Sequence, residues 1–97
     1  MRGIKHDQLL GARMPAWVSS PVHRSIVSAL VEARQTAGLT QRDVAARMAR
    51  PPSFVGKVES IERNLSVLEL LEWCSAIGID AEAILQSAAR RAPSADG

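Results

Sequence analysis

Little in this sequence lends itself to covalent or metal chemistry. Cys74 is the single cysteine, so an internal disulfide is excluded and the second thiol of a metal knuckle is missing. It lies among Leu70, Leu71, Trp73 and Ile77, where a lone cysteine usually serves as a small core residue. The histidines, His6 and His23, are far apart, and no glycine-rich phosphate loop is present. No catalytic, cofactor-binding or metal-binding set is therefore expected. Aromatic residues are scarce, with one Phe, two Trp and no Tyr, and strand formers other than Val and Ile are thin. No apolar run reaches the ~20 residues of a membrane-spanning helix. Arg2, Lys5 and Arg13 accompany no signal-peptide apolar block, which makes a cytoplasmic protein the expectation, with no membrane partner.

What the sequence does have is helix-forming material. Ala, Leu, Glu and Arg are common, and 97 residues suffice for one small domain, for which helices with short connections are the economical solution. Net charge is only +2, but it is unevenly spread. Between Arg34 and Arg63 stand six basic and three acidic residues; between Asn64 and Ala89 stand four acidic residues and no basic one. Such a layout can orient a molecule toward a polyanion, although two ordinary solvated faces would look the same.

Read in order, residues 1–19 mix Gly, Pro, Ser and scattered charges without a period. They are expected to form a flexible arm, with Leu9, Leu10, Trp17 and Val18 as docking points. A first helix is predicted from Pro21, capped by Ser20 and ended by Gly38, with Ile26, Leu30, Ala33 and Ala37 inward. Thr40 caps a second, with Asp43 making a weaker version of a capping box and Val44, Ala45 and Met48 inward. Pro52 opens a third, to about Ser60, with Val55 and Val58 inward. Ser66 and Glu69 form a full capping box on a fourth, which carries Leu68, Leu71, Trp73, Cys74 and Ile77 and closes at Gly78. Asp80 caps a short fifth holding Ala83, Ile84 and Leu85. The expected fold is all-α: a compact five-helix domain over residues 20–88, followed by a short polar tail at 89–97.

The run Leu39-Thr40-Gln41-Arg42-Asp43-Val44-Ala45 through Phe54-Val55-Gly56-Lys57-Val58-Glu59 resembles the lambda-repressor/Cro-like, or XRE-like, helix-turn-helix family. Leu65-Ser66-Val67-Leu68-Glu69-Leu70-Leu71 and Ile77-Gly78-Ile79-Asp80 match its usual continuation, so the likeness covers about Ser25 to Gln86. The residues agree with it. Small Ala45 lets two short helices cross closely, while Val44, Met48, Val55 and Val58 fill the contact and leave the third helix protruding. The resemblance implies base-reading positions at Pro52, Ser53, Gly56 and Lys57. It implies phosphate contacts at Thr40 and Gln41, with Arg50, Arg63 and Asn64 as flanking candidates. It also implies that Arg34 and Glu59 pair across the domain, consistent with each following a core residue, Ala33 and Val58. There are departures. The family commonly has glycine where Ala49 and Ile61 stand: the turn at Ala49 must take a conformation alanine tolerates or carry slight strain, and the exit from the third helix is expected to extend further, with Ile61 packing on the core or on a partner.

The function this implies is sequence-specific binding of double-stranded DNA by a transcriptional regulator, acting as a homodimeric repressor, and not an enzyme. The alternative is an antitoxin-like or other protein-binding module that regulates a partner, suggested by the amphipathic arm with Trp17.

Overall fold

The computed structural model describes residues 16–91. Leu9, Leu10 and most of the expected arm lie outside the described residues, as does the tail beyond Arg91. A short 3-10 turn, Ala16–Ser19, leads into five helices: α1 Pro21–Thr36, α2 Gln41–Arg47, α3 Pro52–Glu59, α4 Val67–Ile77 and α5 Ala81–Arg91. The described residues contain no strand. The architecture is the five-helix, all-α domain that the caps and breaks of the sequence lay out.

The helix starts follow local chemistry. Ser20 Oγ accepts from the His23 N–H at the head of α1, beside Pro21, whose missing N–H would have had no helical partner. Thr40 and Ser66 each accept from the N–H three residues on, and Asp43 and Glu69 return the bond to the cap N–H.

The helix ends share one device. At the close of α1, α2, α3 and α4 a residue turns left-handed: Gly38 at φ 75°, Ala49 at 56°, Ile61 at 64° and Gly78 at 76°. The next N–H then reaches five residues back: Leu39 to Arg34 O, Arg50 to Ala45 O, Glu62 to Lys57 O and Ile79 to Cys74 O, all at 2.8–3.1 Å. Glycine meets that conformation without a Cβ clash at two of the four sites. Ala49 and Ile61 adopt it against their own sterics, so the absence of glycine there is met by strain and not by a different turn.

The core gathers Leu30, Val44, Val55, Val58, Trp73 and Ile84, each almost wholly shielded from solvent. α1 packs along α5, and α2 packs against α3 with Ala45 buried. Arg91 of α5 pairs with Glu32 of α1, and α5 continues past residue 88 to that contact.

Several inward stripes differ from the sequence reading. In α4, Leu68 and Leu71 were expected to face in, yet they are 63% and 50% exposed. The buried line is Glu69, Trp73 and Cys74, with Leu70 and Ile77 half-buried beside it. Val67–Ile77 is apolar on both sides, so helical periodicity offers two stripes and only the neighbouring helices choose between them. In α5, Ile84 and Ala88 face in, whereas Leu85 is exposed. In α1 the buried set is Ser25, Val27, Ala29, Leu30 and Arg34; Ala37 falls beyond the helix and is exposed.

Candidate nucleic-acid interface

α3 is anchored by Phe54, Val55 and Val58, which leaves a second face outward. Pro52, Ser53, Lys57 and Ser60 on that face are exposed, and Gly56 among them is half-buried. Ser53, Gly56, Lys57 and Ser60 follow the i, i+3, i+4, i+7 spacing of a helical stripe. The sequence-derived base-reading positions therefore come together on one surface. Lys57 has no ion-pair partner among the described residues, which leaves its ammonium free to meet an acceptor.

The pose of that surface is set from beneath. Arg34 of α1 grips Glu59 of α3 through two parallel bonds, Nε to Oε2 at 2.7 Å and Nη2 to Oε1 at 3.0 Å. Its Nη1 donates to Leu39 O at 2.8 Å, tying in the loop before α2. The two side chains are only 11% and 8% exposed, so each charge depends on the other. Gln41 of α2 joins the same carboxylate, its Nε2 donating to Glu59 Oε1 at 2.8 Å. One glutamate thus connects α1, α2 and α3.

A second cluster holds the far side of α3. Arg50 and Arg63 flank the helix on loops, and both converge on Glu69 of α4 with bonds of 2.9 Å. Arg50 also bonds Glu72 at 2.9 Å, and Arg63 donates to Asn64 O at 2.8 Å. Their guanidinium carbons lie 5.0 and 4.7 Å from the Phe54 ring centroid, so both cations lean on one aromatic ring. Glu69 answers its capping N–H and two arginines at once. Arg63 above all, then the Ser66 N–H and Arg50, hold its carboxyl down at about 2 against the opposing effect of burial. Sequence reading recognised Glu69 as a capping residue but not as this junction. No spacing rule joins residues 50, 54, 63 and 69; only the packing of α3 against α4 does.

Thr40 is engaged as the α2 cap, and the Asp43 carboxylate accepts its N–H at 2.9 Å, which places negative charge at the start of that helix. Asn64 is exposed, its Oδ1 accepting from the Leu65 N–H at 2.7 Å. Away from the interface, burial pushes the Cys74 thiol above its ordinary pKa, so it is a packed core group and not an activated nucleophile. No helix among the described residues is long and apolar enough to cross a membrane.

No family model and no curated protein matches the chain. Solved structures do. An XRE-family-like protein from Pseudomonas syringae pv. tomato is 42% identical, over 74% of this chain and 88% of that one, with a TM-score of 0.68. The clp gene regulator ClgR of C. glutamicum is 25% identical over 71% of this chain and 90% of its own, TM-score 0.66. A restriction-modification controller protein of Aeromonas hydrophila is 29% identical over 64% of this chain and 94% of its own, TM-score 0.59. With α2 and α3 packed together as described, and with the first of these relatives so similar over most of its length, the chain belongs to the XRE family of helix-turn-helix DNA-binding proteins.

Proposed function

We propose that this protein is a sequence-specific transcriptional regulator that lays α3 in the major groove of double-stranded DNA and acts in the cytoplasm as a homodimeric repressor. The observation that carries the reading is the outward stripe of α3, pinned by Arg34 and Glu59 and bearing the unpaired Lys57. A protruding helix of this diameter fits the major groove, where Lys57 can donate to guanine O6 and N7 and Ser53 can donate or accept. Pro52 offers apolar contact, suited to a thymine methyl.

Backbone contacts are proposed for Thr40, Arg50, Arg63 and Asn64. The arginines act as members of a network already balanced by Glu69 and Glu72, which lessens their share of counterion release relative to free cations. Self-association is supported by exposed apolar side chains outside α3: Val67, Leu68 and Leu71 on α4 and Leu85 on α5. A second copy covering them would leave α3 free and supply two half-sites. Trp17, which motivated a protein-binding alternative, is half-buried with its ring 5.0 Å from that of His23 in an edge contact, so it is partly used within the chain.

Selection of bound duplexes from a random pool, followed by titration at several salt concentrations, tests the reading. A defined, two-fold symmetric site bound well above random DNA is expected, with Lys57→Ala losing roughly 5- to 150-fold at its base pair. Binding that is indifferent to sequence would overturn it.

A further inference from the structure

The outward stripe of α3 ends at Ser60, where the chain reverses. Ile61 turns left-handed at φ 64°, and the Glu62 N–H reaches back to Lys57 O at 2.8 Å. The Arg63 N–H bonds the same oxygen at 3.2 Å. The reversal brings Glu62 back beside the last turn of the recognition helix. There its Oε2 accepts from Ser60 Oγ at 2.5 Å, the short distance of a hydrogen bond to a charged acceptor. Ser60 Oγ lies farther from Lys57 O, at 3.3 Å, and a hydroxyl has one proton to give.

Neighbouring side chains part at this reversal. Arg63 turns to Glu69 and to the Phe54 ring, whereas Glu62 turns to Ser60. Glu59, Glu69 and Glu72 are each held by an arginine. Glu62 has no ion-pair partner among the described residues, and both it and Ser60 are exposed. Folding has little use for a carboxylate there, since the C-terminal end of a helix is itself partly negative. An uncompensated anion thus stands fixed at one end of a surface that otherwise presents the free Lys57.

A recognition helix contacts bases with its N-terminal residues, which leaves its C-terminal end nearer the sugar-phosphate strand. A carboxylate at that end repels phosphates. We infer that Glu62 is a specificity-determining residue that acts by repulsion: a strand tracking past Arg63 avoids its carboxylate, and a misdocked strand meets it. The element is an exclusion and not a contact, and it penalises random duplexes more than the correctly seated one. The inference rests on α3 entering the major groove as proposed above.

The test compares the full chain with Glu62→Gln and Ser60→Ala. Binding to the selected duplex and to random duplexes is titrated at several salt concentrations, with urea unfolding measured alongside. Glu62→Gln keeps an oxygen for the Ser60 bond and removes only the charge. It is expected to tighten random binding by roughly 3- to 10-fold, with a steeper salt dependence, while the selected duplex changes by about twofold or less. Ser60→Ala releases the carboxylate from its fixed place and should act in the same direction by a smaller factor. Both variants should unfold at the wild-type urea midpoint, so that the loss of discrimination reports the charge and not the fold. An equal gain on every duplex would show a uniform charge effect and overturn the inference. So would loss of preference at one base pair, which would make Glu62 a base reader, or no change on any duplex. A wild type without any preferred site would instead bring down the DNA-reading proposal itself, and this inference with it.

Discussion

At the scale of single residues, the unusual positions are those where a side chain works against its backbone or its solvation. Ala49 and Ile61 both hold left-handed conformations that glycine adopts freely. Ala49 is exposed, so its strain has no packing to offset it. Ala49→Gly should raise stability by about 0.5–1 kcal/mol, seen as a higher urea midpoint at unchanged slope. Ile61 is half-buried against the core, and Ile61→Gly should show no such gain because lost apolar contact opposes the relief of strain. Glu69 is the other case. Its folded pKa of about 2 lies below the ordinary 4.5, so its contribution is fully present above pH 4.5 and drains as pH falls toward about 2. Urea titrations across that window should show the wild type losing stability steeply. Glu69→Gln should start less stable at neutral pH and fall less steeply on acidification; parallel curves would mean the carboxylate contributes nothing specific.

At the scale of elements, the two capping boxes look alike in sequence but sit in different surroundings. Thr40 and Asp43 form theirs in solvent, at the head of a seven-residue helix. Ser66 caps a longer helix whose Glu69 also holds Arg50 and Arg63 against Phe54. Thr40→Ala should cost about 1 kcal/mol, the ordinary price of a lost cap. Ser66→Ala should cost more than Thr40→Ala, because releasing Glu69 from its capping geometry also loosens both arginines; equal losses in thermal or urea unfolding would show the two ends to be independent. The capping boxes themselves were legible from Thr40/Asp43 and Ser66/Glu69, as were the α1 start at Pro21 and its end at Gly38. The second duty of Glu69 was not, because a capping box is a local pattern, Arg50 arrives from 19 residues away and Arg63 bonds Glu69 at a spacing no capping rule contains.

At the scale of the whole molecule, presentation of α3 depends on the shielded pair of Arg34 and Glu59. Removing one partner leaves the other charge without compensation, so Arg34→Ala should cost about 3–5 kcal/mol. A double-mutant cycle with Glu59→Ala should give a coupling above about 1 kcal/mol in urea unfolding, and folded Glu59→Ala should bind DNA more weakly. Additive losses would deny the coupling. The same glutamate also accepts from Gln41, so damage at Glu59 should loosen α2 as well as α3.

Helix starts, stops and the small crossing residue were determined by the sequence alone, because caps, prolines, glycines and Ala45 act through neighbours within a turn or two along the chain. Which face of each helix turned inward was decided only where the pattern was one-sided: Val44, Ala45, Met48, Val55 and Val58 could face only the core. α4 offers apolar residues on more than one side, so the docking of α1, α2 and α5 decided that Trp73 and Cys74 are buried while Leu68 and Leu71 meet solvent. Tertiary structure likewise decided that Gln41 fills the space above Gly56 and that Arg50 and Arg63 share one carboxylate. The physical reason is range: the hydrogen bonds from Gln41 to Glu59 and from Arg50 to Glu69 join residues 18 and 19 apart and need a particular approach of two elements, which no local preference of either residue encodes.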